Sequence, residues 1–358
     1  MFEEFMGTKE VSERQQFDLS NLACYLRAKF GIDLGDRPAL LQFKGGQSNP
    51  SFKLSSTDGR QHYVLRSKPA QQARLLPSAH AIEREFRVMQ ALHGNGFPVP
   101  RQYGLCLDET VIGRAFYLMQ FVDGRILWDQ SLPSMTAAER AAIYDEMNRV
   151  ITLLHGIDYG ALGLGDFGKP GNYFARQIER WSRQYKTSET EPIAAMEQLM
   201  AWLPQHIPAG EQTCIVHGDY RMDNLIFHAS EPRIVAVLDW ELATLGHPLA
   251  DFSYHCMSWH IAPGQFRGIA GLDHAALGIP SAQQYIDRYC ARTGHTIGAA
   301  DFEFYLAYNM FRLAAILQGI MKRHVDGTAA SEQAKSAGQA ARPLAELAWR
   351  HAQRAGSS

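Results

Sequence analysis

The segment CIVHGDYRMDNLIF (214–227) hangs Asp219, Arg221, Asp223 and Asn224 between two apolar runs, and VLDWE (237–241) adds Asp239 and Glu241. Carboxylates set among apolar strands are costly unless an arginine or a metal ion meets them. The chain offers candidate cations elsewhere. In HYVLRSK, Arg66 and Lys68 alternate along a strand and so point to one face. In FARQIERWSRQY, Arg176, Arg180 and Arg183 fall at i, i+4 and i+7 and share a helix face, with Gln177, Trp181 and Gln184 on the adjacent one. His255, Cys256 and His260 also have ligand-like spacing, but no second half of a zinc site accompanies them, and they read as core residues.

The elements that must position these residues are legible from periodicity. DLSNLACYLRAKFG is a helix capped at Asp18 or Ser20 and ended by Gly31. Residues 39–69 contain alternating apolar runs separated by Gly45-Gly46 and Asp58-Gly59, which predicts a three-strand antiparallel meander. A helix capped at Ser78 and stopped by Gly94 and Gly96 follows, then two strands within 99–122. Beyond Asp123-Gly124 the pattern turns helical. MTAAERAAIYDEMNRVITLLHGID opens with Thr136 and Glu139 in capping-box spacing, and helices over 172–188 and 191–207 lead to the charged segment. The last hundred residues read as helices. The expected organisation is a helical extension (1–37), a β-rich lobe (38–122) and a helical lobe (123–358) with a helical insert at about 165–210. The fold class is α+β.

Composition narrows the function. With 358 residues the chain exceeds one typical core. Lys plus Arg number 35 and Asp plus Glu 37, for a net charge of −2 and no basic block, so nucleic acid is not an expected partner. No run approaches a membrane span, residues 1–10 hold no signal-peptide core, and five scattered cysteines suit a reducing cytoplasm. Oligomeric state is not legible.

A small five-strand lobe with one main helix, a short hinge and a larger, mostly helical lobe carrying charged loops resembles the bilobal protein-kinase fold. HGDYRMDN places Asp219 and Asn224 five apart, the spacing of a kinase catalytic loop, and LDW places Asp239 where the metal aspartate sits. The His-Gly-Asp opening and the Trp after the second aspartate are similar to the aminoglycoside phosphotransferase and choline kinase superfamily. Longer blocks, GGQSNPSF, LLPSAHAIEREFRVMQAL, FGKPGNYFARQIERWSRQY and VLDWELATLGHPLAD, resemble the phosphotransferase module fused to acyl-CoA dehydrogenases.

That resemblance implies a kinase for a small molecule, with ATP or GTP and Mg²⁺ as cofactors. Asp219 would orient and deprotonate the acceptor hydroxyl, Arg221 would lie against the transferring phosphate, and Asn224 and Asp239 would hold the metal. Gly45, Gly46, Ser48 and Asn49 would cover the phosphates, although the loop departs from G-x-G-x-x-G. Arg66 or Lys68 would grip them, with Glu85 or Glu83 as the carboxylate partner. Met119, Gln120 and Phe121 would read the purine. His217 would brace the loop, and Asp251 would tie it to the following helix. Glu241 is open between metal support, an exposed turn and a place beside Arg176, Arg180 and Trp181 in the acceptor site. The arginine face beside Trp181 suits a carboxylate or phosphate on a partly apolar substrate, and the resemblance implies an acyl-type acceptor, a hydroxy acid or hydroxyacyl-CoA. Aminoglycoside or choline phosphorylation, and a pseudokinase without turnover, are the rival readings. The chain is not expected to be an acyl-CoA dehydrogenase itself.

Overall fold

The structure is a computed structural model and describes residues 6–45, 49–70, 81–328 and 334–357. In chain order the first elements are β1 (Thr8–Lys9), α1 (Leu19–Phe30), β2 (Ala39–Phe43), β3 (Ser51–Ser55), β4 (His62–Ser67), α2 (Ile82–Gly94), β5 (Gln102–Cys106), β6 (Phe116–Gln120) and β7 (Arg125–Ile126). Three helices follow, α3 (Ala137–His155), α4 (Tyr173–Ser188) and α5 (Ala194–Trp202). The charged segment contributes β8 (Cys214–Val216), β9 (Leu225–Phe227), β10 (Ile234–Val237) and β11 (Thr244–Gly246). The remainder is helical: α6 (Pro248–Cys256), α7 (His274–Leu277), α8 (Ala282–Thr293), α9 (Ala299–Val325), α10 (Ala334–Gln339) and α11 (Ala341–Gly356). Among the described residues, no helix is long and apolar enough to cross a membrane.

Two compact units divide the chain. The first comprises residues 1–128, 160–164 and 222–243, and the second comprises 129–159, 165–221 and 244–358.

In the first unit the antiparallel meander forms as its turns predict, and the whole sheet runs β1-β2-β3-β4-β6-β5. The added strand β1 pairs Thr8 with Phe43 and is two residues long, too short to leave a periodic signal. Asp18 is the cap of α1, accepting from the N–H groups of Ser20 and Asn21, and Gly31 ends the helix at φ 67°. Leu22 and Leu26 of α1 join Phe52, Leu54, Leu65, Phe116 and Leu118 of the sheet in one apolar core. Full burial of each leucine is worth about 1.5–3 kcal/mol, which fastens the helix to the sheet. Helix α2 buries Ile82, Glu85, Val88, Met89 and Leu92, a helical stripe with a carboxylate in it. The expected cap Ser78 lies outside the described residues.

The same unit contains a small sheet in the order β10-β9-β7. Gly124 permits its close approach, because a Cβ there would lie 2.3 Å from the carbonyl oxygen of Phe227. The two apolar runs of the charged segment are strands as expected but do not pair with one another. β9 pairs with β10 and β7, whereas β8 pairs with β11 in the second unit.

In the second unit the Thr136–Glu139 capping box opens α3. Helix α4 buries Phe174, Ile178, Trp181 and Tyr185, at i, i+4, i+7 and i+11, and packs this face on α9. The central helix α9 also carries α6, α10 and α11, and its residues from Phe304 to Ala315 are buried without a break.

Candidate active site

In the first unit, β4 and α2 bring Arg66 and Glu85 together. Arg66 Nε lies 2.8 Å from Glu85 Oε2, and Nη2 lies 2.8 Å from Asp239 Oδ1 and 3.3 Å from Glu241 Oε2. Glu85 also accepts from Asn49 Nδ2 at 2.8 Å and from the Tyr117 hydroxyl at 3.0 Å. Arg66 is 7 % exposed and Glu85 1 %. Burial works against the guanidinium charge, but the carboxylates of Glu85 and Asp239 outweigh it and raise the Arg66 pKa. The two candidate pairs thus separate. Arg66 takes Glu85, and Lys68 lies 3.5 Å from Glu83.

Asp239 follows β10 at φ 65°, a left-handed conformation that costs a non-glycine residue energy and is retained where surroundings impose it. The Leu238 N–H donates to the Asn224 carbonyl at 2.8 Å, so the backbones carrying Asn224 and Asp239 are tied together. Their side chains supply amide and carboxylate oxygens, hard donors of the kind Mg²⁺ takes in small number, so the residues present fit that ion.

The remaining residues of this unit divide. Met119 and Gln120 end β6, Met119 buried and Gln120 exposed, and the Gln120 N–H donates to the Arg101 carbonyl at 2.8 Å. Phe121 follows, with Lys53 Nζ 4.5 Å from its ring centre. Gly45 is half-buried just after β2. Gly46 and Ser48 lie outside the described residues. Asn49 is fully buried, and its amide is engaged by Glu85.

In the second unit the loop 217–221 is bolted from several sides. The N–H groups of His217 and Gly218 donate to the two oxygens of Asp251, at 2.7 and 2.8 Å, and the Asp219 N–H donates to His217 Nδ1 at 3.2 Å. Burial would push the Asp251 carboxyl up, yet His155 and the His217 N–H hold it below its ordinary value. Gly218 sits at φ 81°, where a Cβ would be strained. The Asp219 carboxylate receives the Tyr254 hydroxyl at 2.6 Å and lies 3.0 Å from Arg221 Nε, both on Oδ1. Arg312 Nη2 donates to the Gly218 carbonyl at 2.8 Å.

The arginine stripe on α4 is only partly available. Arg176 donates to the carbonyls of Gly171 and Lys169, and Arg183 pairs with Glu179 at 2.7 Å. Arg180 is exposed and stands 5.2 Å from the centre of the Trp181 ring. Trp181 is buried, and its indole N–H donates to Gln177 at 3.1 Å. Glu241, one of whose expected places is the acceptor site, pairs with Arg66 in the first unit. Within the helical core, His255 is hydrogen-bonded to the Tyr285 hydroxyl at 2.7 Å, Cys256 is buried, and His260 packs on His351.

Tyr254 and Arg312 are the site residues that sequence reasoning missed. A signal for Arg312 exists, because it is the lone charged residue in the apolar stretch 304–321. A solitary charge in a buried helix needs a partner. Tyr254 stands beside His255 and Cys256, and the ligand-like spacing drew attention away from its hydroxyl.

Comparison with known proteins bears on the family and the fold. The phosphotransferase enzyme family (APH) matches residues 39–293. Acyl-CoA dehydrogenase family member 10 of Mus musculus is 44% identical over 354 residues, covering 98% of this chain and 32% of that protein. The chain therefore spans about a third of that relative's length. A crystal structure from Ralstonia eutropha JMP134, described as "a putative aminoglycoside phosphotransferase", is 61% identical with a TM-score of 0.85, covering 95% of this chain and 99% of that one. Choline kinase from Cryptosporidium parvum Iowa II has a TM-score of 0.63 at 12% identity, covering 95% and 96% of the two chains, a likeness of fold. The α+β kinase-like fold expected from the strand and helix order is borne out.

Proposed function

The chain belongs to the phosphotransferase enzyme family, and on that premise we propose that it transfers the γ-phosphoryl group of ATP or GTP to a hydroxyl of a small anionic metabolite, a hydroxy acid or a hydroxyacyl-CoA. The observation that carries the kinase reading is the Arg66 guanidinium shared between Glu85 on α2 and Asp239 after β10. A strand cation, a helix carboxylate and a metal-position aspartate drawn together are the parts that hold a nucleotide's phosphates in kinases.

Each residue then has a task. Asp219 accepts the proton of the acceptor hydroxyl and aims its oxygen, and Arg221 balances charge on the group being transferred. Arg66 presents its cation to the nucleotide phosphates, with Glu85 keeping the side chain straight. Asn224 and Asp239 would hold Mg²⁺, which supplies charge neutralisation to the phosphate oxygens when bound. Backbone groups of Met119 to Phe121 meet the purine, and Gly45, Gly46 and Ser48 cover the phosphates. The cytoplasm is the proposed location.

An anionic acceptor is supported by Arg180 beside Trp181, since a polycationic aminoglycoside calls for carboxylates and choline calls for an aromatic cage. The acyl-CoA dehydrogenase name of the mouse relative points towards acyl substrates. The dehydrogenase activity in that name is not carried over to a chain spanning a third of that protein. The test is release of ADP or GDP across hydroxy acids, hydroxyacyl-CoAs, choline and kanamycin. Turnover of acids or their thioesters is expected, and preferential turnover of the cations would overturn the acceptor assignment.

A further inference from the structure

Arg312 is a buried cation with an incomplete set of partners. It is 7 % exposed, and its one hydrogen bond among the described residues runs from Nη2 to the Gly218 carbonyl. No carboxylate of the described residues lies within ion-pair distance of it. Its guanidinium instead lies 5.3 Å from the Tyr254 ring centre and 5.7 Å from the Trp181 ring centre. Aromatic faces return about 2 kcal/mol to a desolvated cation, less than the several kcal/mol that removing it from water costs. A positive charge kept in such a place is poised to receive an anion from outside the chain.

Its surroundings say which anion. Tyr254, under the Arg312 guanidinium, donates its hydroxyl to Asp219, and Asp219 is within electrostatic reach of Arg312 as well. One tyrosine therefore touches both the proposed base and the unsatisfied cation. The indole of Trp181 carries a second guanidinium, that of Arg180, 5.2 Å from its centre. Hydroxyl-accepting carboxylate, flat apolar surface and cation lie together, matching hydroxyl, carbon chain and carboxylate of one short molecule. Two of the three arginines that first suggested an anionic acceptor, Arg176 and Arg183, are engaged within α4 and its preceding loop, so the cation must come from elsewhere.

We propose that Arg312 binds the carboxylate of the acceptor, with Trp181 and Tyr254 packing its carbon chain, and so makes the enzyme select hydroxy acids over neutral alcohols. This rests on the acceptor reading above and makes it more specific. Arginine suits the task because its planar fork can hold the Gly218 carbonyl on one amine and offer other N–H groups to a carboxylate.

The experiment compares wild type with Arg312→Lys and Arg180→Ala, using 3-hydroxybutyrate, its CoA thioester and 1,3-butanediol as acceptors. Thermal melting confirms folding of each variant. Arg312→Lys is expected to raise the KM for 3-hydroxybutyrate tenfold or more beyond whatever change it makes in the KM for butanediol. Arg180→Ala, at an exposed position, is expected to raise the acid KM two- to fivefold. Equal changes for acid and diol would make Arg312 a brace of the Gly218 loop and overturn the proposal, as would turnover of the thioester but not the free acid. Calorimetry with butyrate separates the two readings. If wild type phosphorylates only choline or kanamycin, the acceptor reading fails. Butyrate binding that Arg312→Lys abolishes still upholds an Arg312 carboxylate site, and absent or unchanged binding overturns it.

Discussion

Arg66 and Asp239 stand 173 residues apart in the chain and are joined by an ion pair of 2.8 Å. The same guanidinium holds Glu85, which is 1 % exposed. Removing one partner of such a buried pair leaves an uncompensated charge and costs about 3–5 kcal/mol. Arg66→Ala should therefore lower the urea midpoint markedly and raise the nucleotide KM, whereas Lys68→Ala, whose partner Glu83 is half-exposed, should do little to either. Equal small effects of both variants on KM would mean that neither side chain grips the phosphates.

Asp219→Asn preserves size and leaves the Asp251 bonds to the backbone of His217 and Gly218 in place. The melting temperature and nucleotide affinity should stay near wild type while turnover falls about 10²–10⁴-fold, the usual worth of a positioned base. Asp239→Ala should weaken Mg²⁺-nucleotide binding in addition. Near-normal turnover by Asp219→Asn would remove it from the role of base.

Tyr254→Phe deletes a single hydroxyl, the one donated to Asp219 at 2.6 Å. A hydrogen bond to a charged group is worth about 1.5–3 kcal/mol, which corresponds to a loss in kcat of roughly 10- to 100-fold. The nucleotide KM should not move. In an Asp219→Asn background the same change should cost little more, because the two act as a unit. Full additivity of the two losses would show that Tyr254 does not act through Asp219.

Two buried histidines, His247 and His255, and the half-buried His260 make acid stability a further test. Burial is the main cause that lowers His247, His255 and His260 from 6.5 to about 4. His247 faces His295, His155 and Glu211, His255 faces Asp251 and Tyr285, and His260 faces His351, Glu303 and Arg354, so none of the three is released from its burial by a dominant carboxylate. The folded values lie below the unfolded ones, so the unfolded chain takes up protons first. The stability these groups confer is present above pH 6.5 and is lost as pH falls from 6.5 towards 4. Each proton contributes about 1.4 kcal/mol per pH unit to the slope. Denaturation midpoints measured across this range should fall steadily, and less steeply in His260→Gln. A flat profile would contradict the burial argument.

Local pattern was enough to specify the parts. The spacing of Asp219, Asn224 and Asp239, the alternation of Arg66 and Lys68 and the capping box at Thr136 are properties of short stretches, and period and cap chemistry act over one turn of helix or two strand residues. Partner choice was a different matter. That Arg66 takes Glu85 and Lys68 takes Glu83, that β8 pairs with β11 and not β9, that Arg176 turns back on its own loop, and that Arg312 meets Gly218 from 94 residues away are contacts between distant segments. A charge in a sequence declares that it needs a counterpart. Which counterpart it receives depends on desolvation and on the few ångströms over which ion pairs and hydrogen bonds act, and those distances exist only once the chain is packed.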